Sequence, residues 1–263
     1  MTKLILTGNI NLNLKRGELV LRVRFTLRPA NQQEECVIPM DFRHHFISLT
    51  KTLLQDSLFS RRFDEPHPGY SPYVFSVQFR KIQRFDPEEE VMVISPPVFL
   101  TFSTGLYDLM TDVCNKAISI KGKDTILGLK LDEIHLLPNI VIRSSCVKFR
   151  LVGHAVLRGE EGYLDNTEAG EIEEAINTHL QTKLKFFDQY ILPFEDTIFS
   201  PIKVIEHQGL TKGVCYHYGG KITSVRGNIT LSGYPTSLQF LYDYGLGVRT
   251  GQGFGLLEVV EQL

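Results

Sequence analysis

Two successive runs of strand, helix, strands, helix and strand predict an α+β fold of two tandem ferredoxin-like (RRM-like) domains closed by a C-terminal glycine-rich loop. Three observations carry that expectation. Apolar residues recur at period two in some segments and at helical spacing in others, in the same order in both halves. The pair Gly219-Gly220 joins two strand-like runs and reads as a hairpin. A glycine-dense stretch, Gly245 to Gly255, separates the last helical segment from a terminal apolar run. The boundary falls between Pro138 and Cys146, giving domains 1–140 and 141–263.

The first domain opens with strand-like Leu4–Ile10 and Leu19–Leu27, the second alternating apolar and polar positions as a sheet with one wet face requires. Pro39-Met40-Asp41 offers an N-cap aspartate. Phe42, Phe46, Leu49, Leu53 and Leu54 then recur at helical spacing through Leu58. A turn-rich stretch from Asp64 to Pro72 leads to strand-like Tyr73–Ile82, Val91–Ile94 and Val98–Phe102. A helical Leu106–Ile118 and a strand near Ile126–Leu136 complete the set. In the second domain Cys146–Leu157 reads as a strand and Ala169–Phe187 as a helix opened by acidic residues. Gly213–His217 and Lys221–Ser232 are the hairpin strands, Pro235–Tyr244 is helical, and Leu256–Val260 is the last strand.

A hydrophobic content of 43% over 263 residues supports a sizeable buried core. No apolar stretch reaches the length of a membrane span, and the amino terminus enters a strand-like pattern without a signal-peptide core, so a cytoplasmic protein is expected. Cys36, Cys114, Cys146 and Cys215 stand singly, a pattern of reduced core residues rather than a disulfide framework or a zinc site. The net charge of −2 hides an asymmetry. Ten acidic residues lie between Gly159 and Asp196 against Lys183 and Lys185, the pattern of a solvated face. From Lys203 to Gly255 the cations Lys203, Lys212, Lys221, Arg226 and Arg249 outnumber Glu206 and Asp243, so an anionic ligand belongs there.

The loop holds five glycines in eleven positions, and residues without a Cβ let backbone amides approach a ligand closely. No Lys-Ser or Lys-Thr follows, as a P-loop requires, and no helix follows, as a dinucleotide fingerprint requires. An enzyme holding a nucleotide on this loop is disfavoured for that reason. The pattern Gly245-Leu246-Gly247, five residues with a cation, then Gly253-Phe254-Gly255 and a β-branched strand resembles the glycine-rich loop of the repeat-associated CRISPR proteins (the RAMP superfamily). Within them the chain looks most like the Cas-six type, endoribonucleases that cut CRISPR repeat RNA. Ile38-Pro39 ahead of a first helix, and His67 ahead of Tyr70, Tyr73 and Phe75, extend the resemblance over most of the chain.

That resemblance implies a partner, the repeat RNA of the CRISPR precursor transcript, and allows attachment to other CRISPR-associated proteins as a monomer or homodimer. It implies a cofactor-free, metal-independent cut in which the 2′-hydroxyl attacks the adjacent phosphate, leaving a cyclic phosphate and a 5′-hydroxyl. A histidine does the proton work, its ordinary pKa lying close to physiological pH. His67, between two prolines after the first helix, is the first choice, with His44 and His45 as the alternative. Adjacent helical residues diverge by about 100°, so one of that pair at most is expected to face the cleft. Lys51 is placed to stabilise the phosphorane, and Tyr70 or Tyr73 to orient the phosphate. For RNA the candidates are Arg249 and the loop glycines Gly245, Gly247, Gly251, Gly253 and Gly255, joined by Lys221 and Arg226 on the hairpin. Arg80, Lys81 and Arg84 form a second basic group, while His135, His154, His179, His207 and His217 read as structural or surface residues. Relatives that serve as non-cutting subunits of interference complexes share fold and loop, so a non-catalytic RNA-binding subunit is the competing expectation.

Overall fold

The computed structural model describes residues 21–31, 33–60, 69–138, 140–164, 168–191 and 199–263. The expected strand at Leu4–Ile10 and the candidate His67 lie outside the described residues. The order along the chain is β1 (Leu21–Pro29), β2 (Cys36–Pro39), α1 (Arg43–Leu54), β3 (Val74–Asp86), β4 (Val91–Thr104), α2 (Tyr107–Ile120), β5 (Asp124–Ile126) and β6 (Leu129–Leu137). There follow β7 (Cys146–Leu151), β8 (Arg158–Gly159), β9 (Gly162–Tyr163), α3 (Ala169–Tyr190), β10 (Lys203–Glu206), β11 (Leu210–His217), β12 (Gly220–Ser232), α4 (Pro235–Tyr244) and β13 (Leu257–Gln262).

The principal strands of the first sheet lie in the spatial order β3, β4, β1, β6, all neighbours antiparallel, with β2 and β5 appended. In the second sheet β12 lies beside β7 and β7 beside β13, while β10 and β11 pair in turn with β12. Both follow the ferredoxin-like strand order, and the fold is the mixed α+β arrangement of two such units.

The pattern of α1 explains its place. Phe46, Leu49 and Leu53 are buried and face Val23, Phe25 and Leu27 of β1 in one core, while Ser48, Lys51 and Thr52 stay exposed. Emptying the fully buried Phe46 site would cost about 3–5 kcal/mol. A second core gathers Phe149, Ile176, Leu180, Phe187, Phe240 and Leu257 between the second sheet, α3 and α4.

Two local readings change. Val91–Ile94 and Val98–Phe102 belong to one strand, β4, which runs through Pro96-Pro97, and its pairing with β3 shifts register between Phe79 and Lys81 at that point. Prolines carry no amide for the ladder, and a bulge is where a strand tolerates them. The expected strand Cys146–Leu157 ends at Leu151. Beyond it Val152 accepts the Ser76 hydroxyl at 2.6 Å, and Ala155 and Val156 form isolated bridges to Val225 and Val248. The short strands β2 and β10 carry too few apolar positions for a periodic signal.

The two units meet through β1 and β3 on one side and α4, the glycine loop and β13 on the other. Arg22 of β1 is buried, stacks 3.6 Å from the Tyr242 ring, and donates to the carbonyls of Tyr242 and Leu257 and to Ser103 Oγ. Val74, Val152 and Leu256 form a small apolar cluster at the same junction.

Candidate active site

The start of α1 differs from the sequence expectation in a consequential way. Phe42, in helical conformation and with no side-chain cap, holds the N-cap position expected for Asp41. The Asp41 carboxylate is directed across the domain junction, where Oδ2 accepts the backbone amide of Gly219 at 2.9 Å. The same oxygen lies 3.6 Å from Nδ1 of His44. His44 and His45 were expected to diverge; their rings meet instead, with centroids 3.8 Å apart. Burial, and then the neighbouring His44, push His45 below its ordinary value, so it is held toward the neutral imidazole.

The hairpin of β11 and β12 brings the second domain to this helix. His217 pairs with Gly220, and the two linking residues Tyr218 and Gly219 both have positive φ, the conformation that lets a two-residue turn follow the strand twist. The Tyr218 ring is exposed and its centroid lies 6.3 Å from that of His44. His217, buried on the other side of the turn, donates from Nε2 to Gln252 Oε1 at 2.9 Å, the oxygen that also accepts Arg249 Nη1 at 2.8 Å. Burial lowers the pKa of His217 and keeps it neutral. Arg43 is enclosed between the rings of Phe42 and Phe254, 4.7 and 4.5 Å from their centroids. A histidine pair, a tyrosine and a cation therefore gather where α1, the hairpin tip and the glycine loop converge.

The glycines of that loop are there chiefly because of packing. A Cβ on Gly247 would come within 2.3 Å of the Val156 carbonyl oxygen, on Gly251 within 2.1 Å of Ser71 Oγ, and on Gly255 within 2.1 Å of the Leu246 carbonyl oxygen. Gly245, Gly247, Gly253 and Gly255 also have positive φ. The amides of Gly245 and Gly255 are committed to Leu241 and His154 carbonyls, and that of Gly253 closes the 3-10 turn over Thr250–Gln252, whereas those of Gly247 and Gly251 have no acceptor among the described residues. Gly247 and Gly253 are buried, and the partly exposed Gly251 is the one whose amide fits an external anion. Between them Arg249, in left-handed conformation, is held by Tyr163 Oη at 2.7 Å and by Gln252, with no carboxylate on its guanidinium among the described residues.

Beneath the loop lies a residue whose sequence context suggested the opposite. Lys183 falls in the acidic stretch expected to be solvated, yet it is fully buried in α3 and donates to the Tyr244 carbonyl and, at 3.4 Å, to Thr250 Oγ1. It ties the end of α4 to the middle of the loop. Burial lowers its pKa to about 7.

The remaining sequence candidates separate. Lys51 is exposed in the last turn of α1, seven residues after His44 and so on the same helical face, roughly 10 Å along the axis. Tyr70 packs edge-on to Phe186 of α3 at 5.9 Å, and Tyr73 is buried against Phe102, so neither points to the histidine pair. Lys221 and Arg226, expected to act together, occupy opposite faces of β12, since five positions along a strand reverse the side. Lys221 stands over the Tyr216 ring at 5.3 Å. Arg226 shares the face of Ser224, which contacts His154 Nδ1 at 3.0 Å; burial, then Arg43 and Arg226, depress His154 to about 4. Arg80, Lys81 and Arg84 form an exposed basic stretch of β3. Sequence reading missed Asp41 in this role, along with His217 and Gln252. The only signal for His217 was its place two residues ahead of the Gly219-Gly220 pair.

The two sheets with their helices define a class of fold, the tandem ferredoxin-like α+β proteins. A structure described as a Cas6-related gene product from Pyrococcus furiosus superposes with a TM-score of 0.70 at 17% identity, covering 93% of this chain and 100% of its own. A RAMP protein binding different RNA substrates gives 0.68 at 16% identity, over 92% and 100%. A Cas6 product complex gives 0.60 at 12% identity, over 92% and 99%. At these identities the likeness is one of fold. Within the sequence, residues 137–259 match the family model of the CRISPR associated protein Cas6, C-terminal. No curated protein matches the chain.

Proposed function

We propose that the protein is a CRISPR RNA-processing endoribonuclease of the Cas6 type, which cuts repeat RNA by attack of a 2′-hydroxyl on the adjacent phosphate. The observation that carries the reading is the meeting of the His44–His45 pair on α1 with the hairpin tip and glycine loop of the second domain. Proton-transfer groups there stand beside a cation and an uncommitted amide, the combination a phosphate-directed reaction needs. A Cas6 structure similar in fold, with a TM-score of 0.56 at 12% identity, is a histidine-to-alanine mutant, which agrees with a histidine mattering in that protein.

The chemistry follows from the parts. A neutral imidazole takes the proton of the 2′-hydroxyl, the 2′-oxygen bonds to phosphorus, the bond to the 5′-oxygen breaks, and that oxygen takes a proton from solvent water, the imidazolium later returning its own to solvent. Two rings in van der Waals contact cannot flank one phosphorus in line, so the pair serves one side of the reaction. Arg249 and the Gly251 amide hold the strand by its phosphates, which positions RNA without reading its sequence. Lys51, on the His44 face of α1, supplies charge to the phosphorane.

The test is incubation with repeat RNA from the host array in excess EDTA, beside substrates carrying one 2′-deoxy nucleotide at each candidate position. A single cut abolished by one deoxy substitution is expected. Tight binding with no cut would overturn the reading and make the protein a non-catalytic RNA-binding subunit.

A further inference from the structure

We infer that Asp41 is a positioning residue that sets the tautomer of His44 and locks the hairpin tip over it, an inference that rests on the function proposed above. Asp41 belongs to the first domain; its Oδ2 accepts the Gly219 amide of the second domain at 2.9 Å and stands 3.6 Å from His44 Nδ1, an ion-pair distance. The carboxylate is enclosed: its side chain is 20% exposed, and Oδ1 is buried with no partner among the described residues. An aspartate just ahead of a helix ordinarily accepts the amides of the first turn. Here it makes no such bond. The commitment to His44 and Gly219 replaces the cap.

An acceptor beside Nδ1 holds the imidazole proton on that nitrogen and leaves the lone pair on Nε2, the logic by which a buried carboxylate orients a catalytic base. His44 then presents Nε2 to the cleft as the atom that takes the 2′-hydroxyl proton. The other groups packed about His44 are His45 from its own helix and Tyr218 from the hairpin, with Arg249 beyond Tyr218. Among the described residues neither His45 nor Tyr218 brings a carboxylate, so Asp41 is the acidic partner of the ring. The bond to Gly219 couples this orientation to domain docking: the hairpin cannot leave α1 without releasing the carboxylate.

Asp41→Asn keeps an oxygen where Oδ2 stands, able to accept from Gly219, but removes the negative charge that draws the His44 proton to Nδ1. Ring nitrogen NMR at a pH where His44 is neutral, with the signals identified by their loss in His44→Gln, is expected to give Nδ1–H in the wild type and a larger share of Nε2–H in Asp41→Asn. Single-turnover cleavage should fall roughly 10²–10⁴-fold, with RNA affinity and melting temperature unchanged. A structural role alone predicts a wild-type rate for this near-isosteric variant, and that result overturns the inference. The wild-type spectrum is decisive even if the variant does not fold, because Nε2–H in the native protein also overturns it. If the wild type binds repeat RNA and never cuts, the functional reading fails while the tautomer is still read.

Discussion

Lys183 in the long helix α3 donates its ammonium to the carbonyl of Tyr244, the last residue of α4, and does so in full burial. One residue earlier, Asp243 is buried beside Gln239, which donates to its carboxylate at 2.9 Å. Burial lowers Lys183 from 10.5 to about 7 and raises Asp243 from 3.8 to about 7. Between about pH 7 and 10.5 the unfolded chain holds a lysine proton that the folded chain lacks, so this group makes stability rise with pH. Between about pH 4 and 7 the folded chain holds an aspartic acid proton that the unfolded chain has lost, so stability falls as pH rises. Melting temperature against pH should therefore dip near neutrality. Lys183→Met should flatten the alkaline rise and Asp243→Asn the acidic fall; variant curves running parallel to the wild type would reject these assignments.

His44→Gln should slow single-turnover cleavage of repeat RNA by roughly 10²–10⁴ with little change in binding, the usual worth of a positioned base. His45→Gln should cost less, because His45 stacks on His44 while His44 carries the orienting carboxylate. The reverse ranking in a quench time course would move the base to His45.

Gly247→Ala should destabilise the protein by about 1–3 kcal/mol, since the new methyl would press on the Val156 carbonyl at a positive φ. RNA affinity should fall with it, because the displaced segment carries Arg249. Urea unfolding gives the first quantity and filter binding the second; an unaltered midpoint would mean that the loop yields freely.

Arg249→Ala should weaken RNA binding and reduce the slope of log affinity against log salt by about one. Tyr163 and Gln252 hold the guanidinium without neutralising it, so its charge stays available to a phosphate. A salt dependence identical to the wild type would remove Arg249 from the RNA contact.

The order of strands and helices was legible because long elements carry their own periodicity. The burial of Phe46, Leu49 and Leu53 on α1 and the limits of α4 at Pro235 and Tyr244 follow directly from spacing and a leading proline. Contacts between domains left no such trace. Asp41 reads as a helix cap because the rule sees the next three residues, whereas its partner Gly219 stands 178 positions away. Lys183 reads as solvated among acidic neighbours, since no local pattern announces that a helix face meets the underside of a loop. The glycine loop was legible as a loop, but spacing alone could not tell which glycines make room for neighbouring backbone and which keep an amide uncommitted. Lys221 and Arg226 were paired by proximity in sequence, where the pleat of β12 sets them apart.

Arg22 lies near the start of the described chain, and two of its acceptors, the carbonyls of Tyr242 and Leu257, come from the other end. During synthesis the first unit must wait, with that guanidinium still hydrated, until Leu257 has left the ribosome. The α1 histidines acquire their hairpin and loop in the same late step, so a nascent or truncated chain would carry the histidine pair without the surface that holds RNA against it. The junction between the two units is in that sense made last, by the strand that carries Leu257.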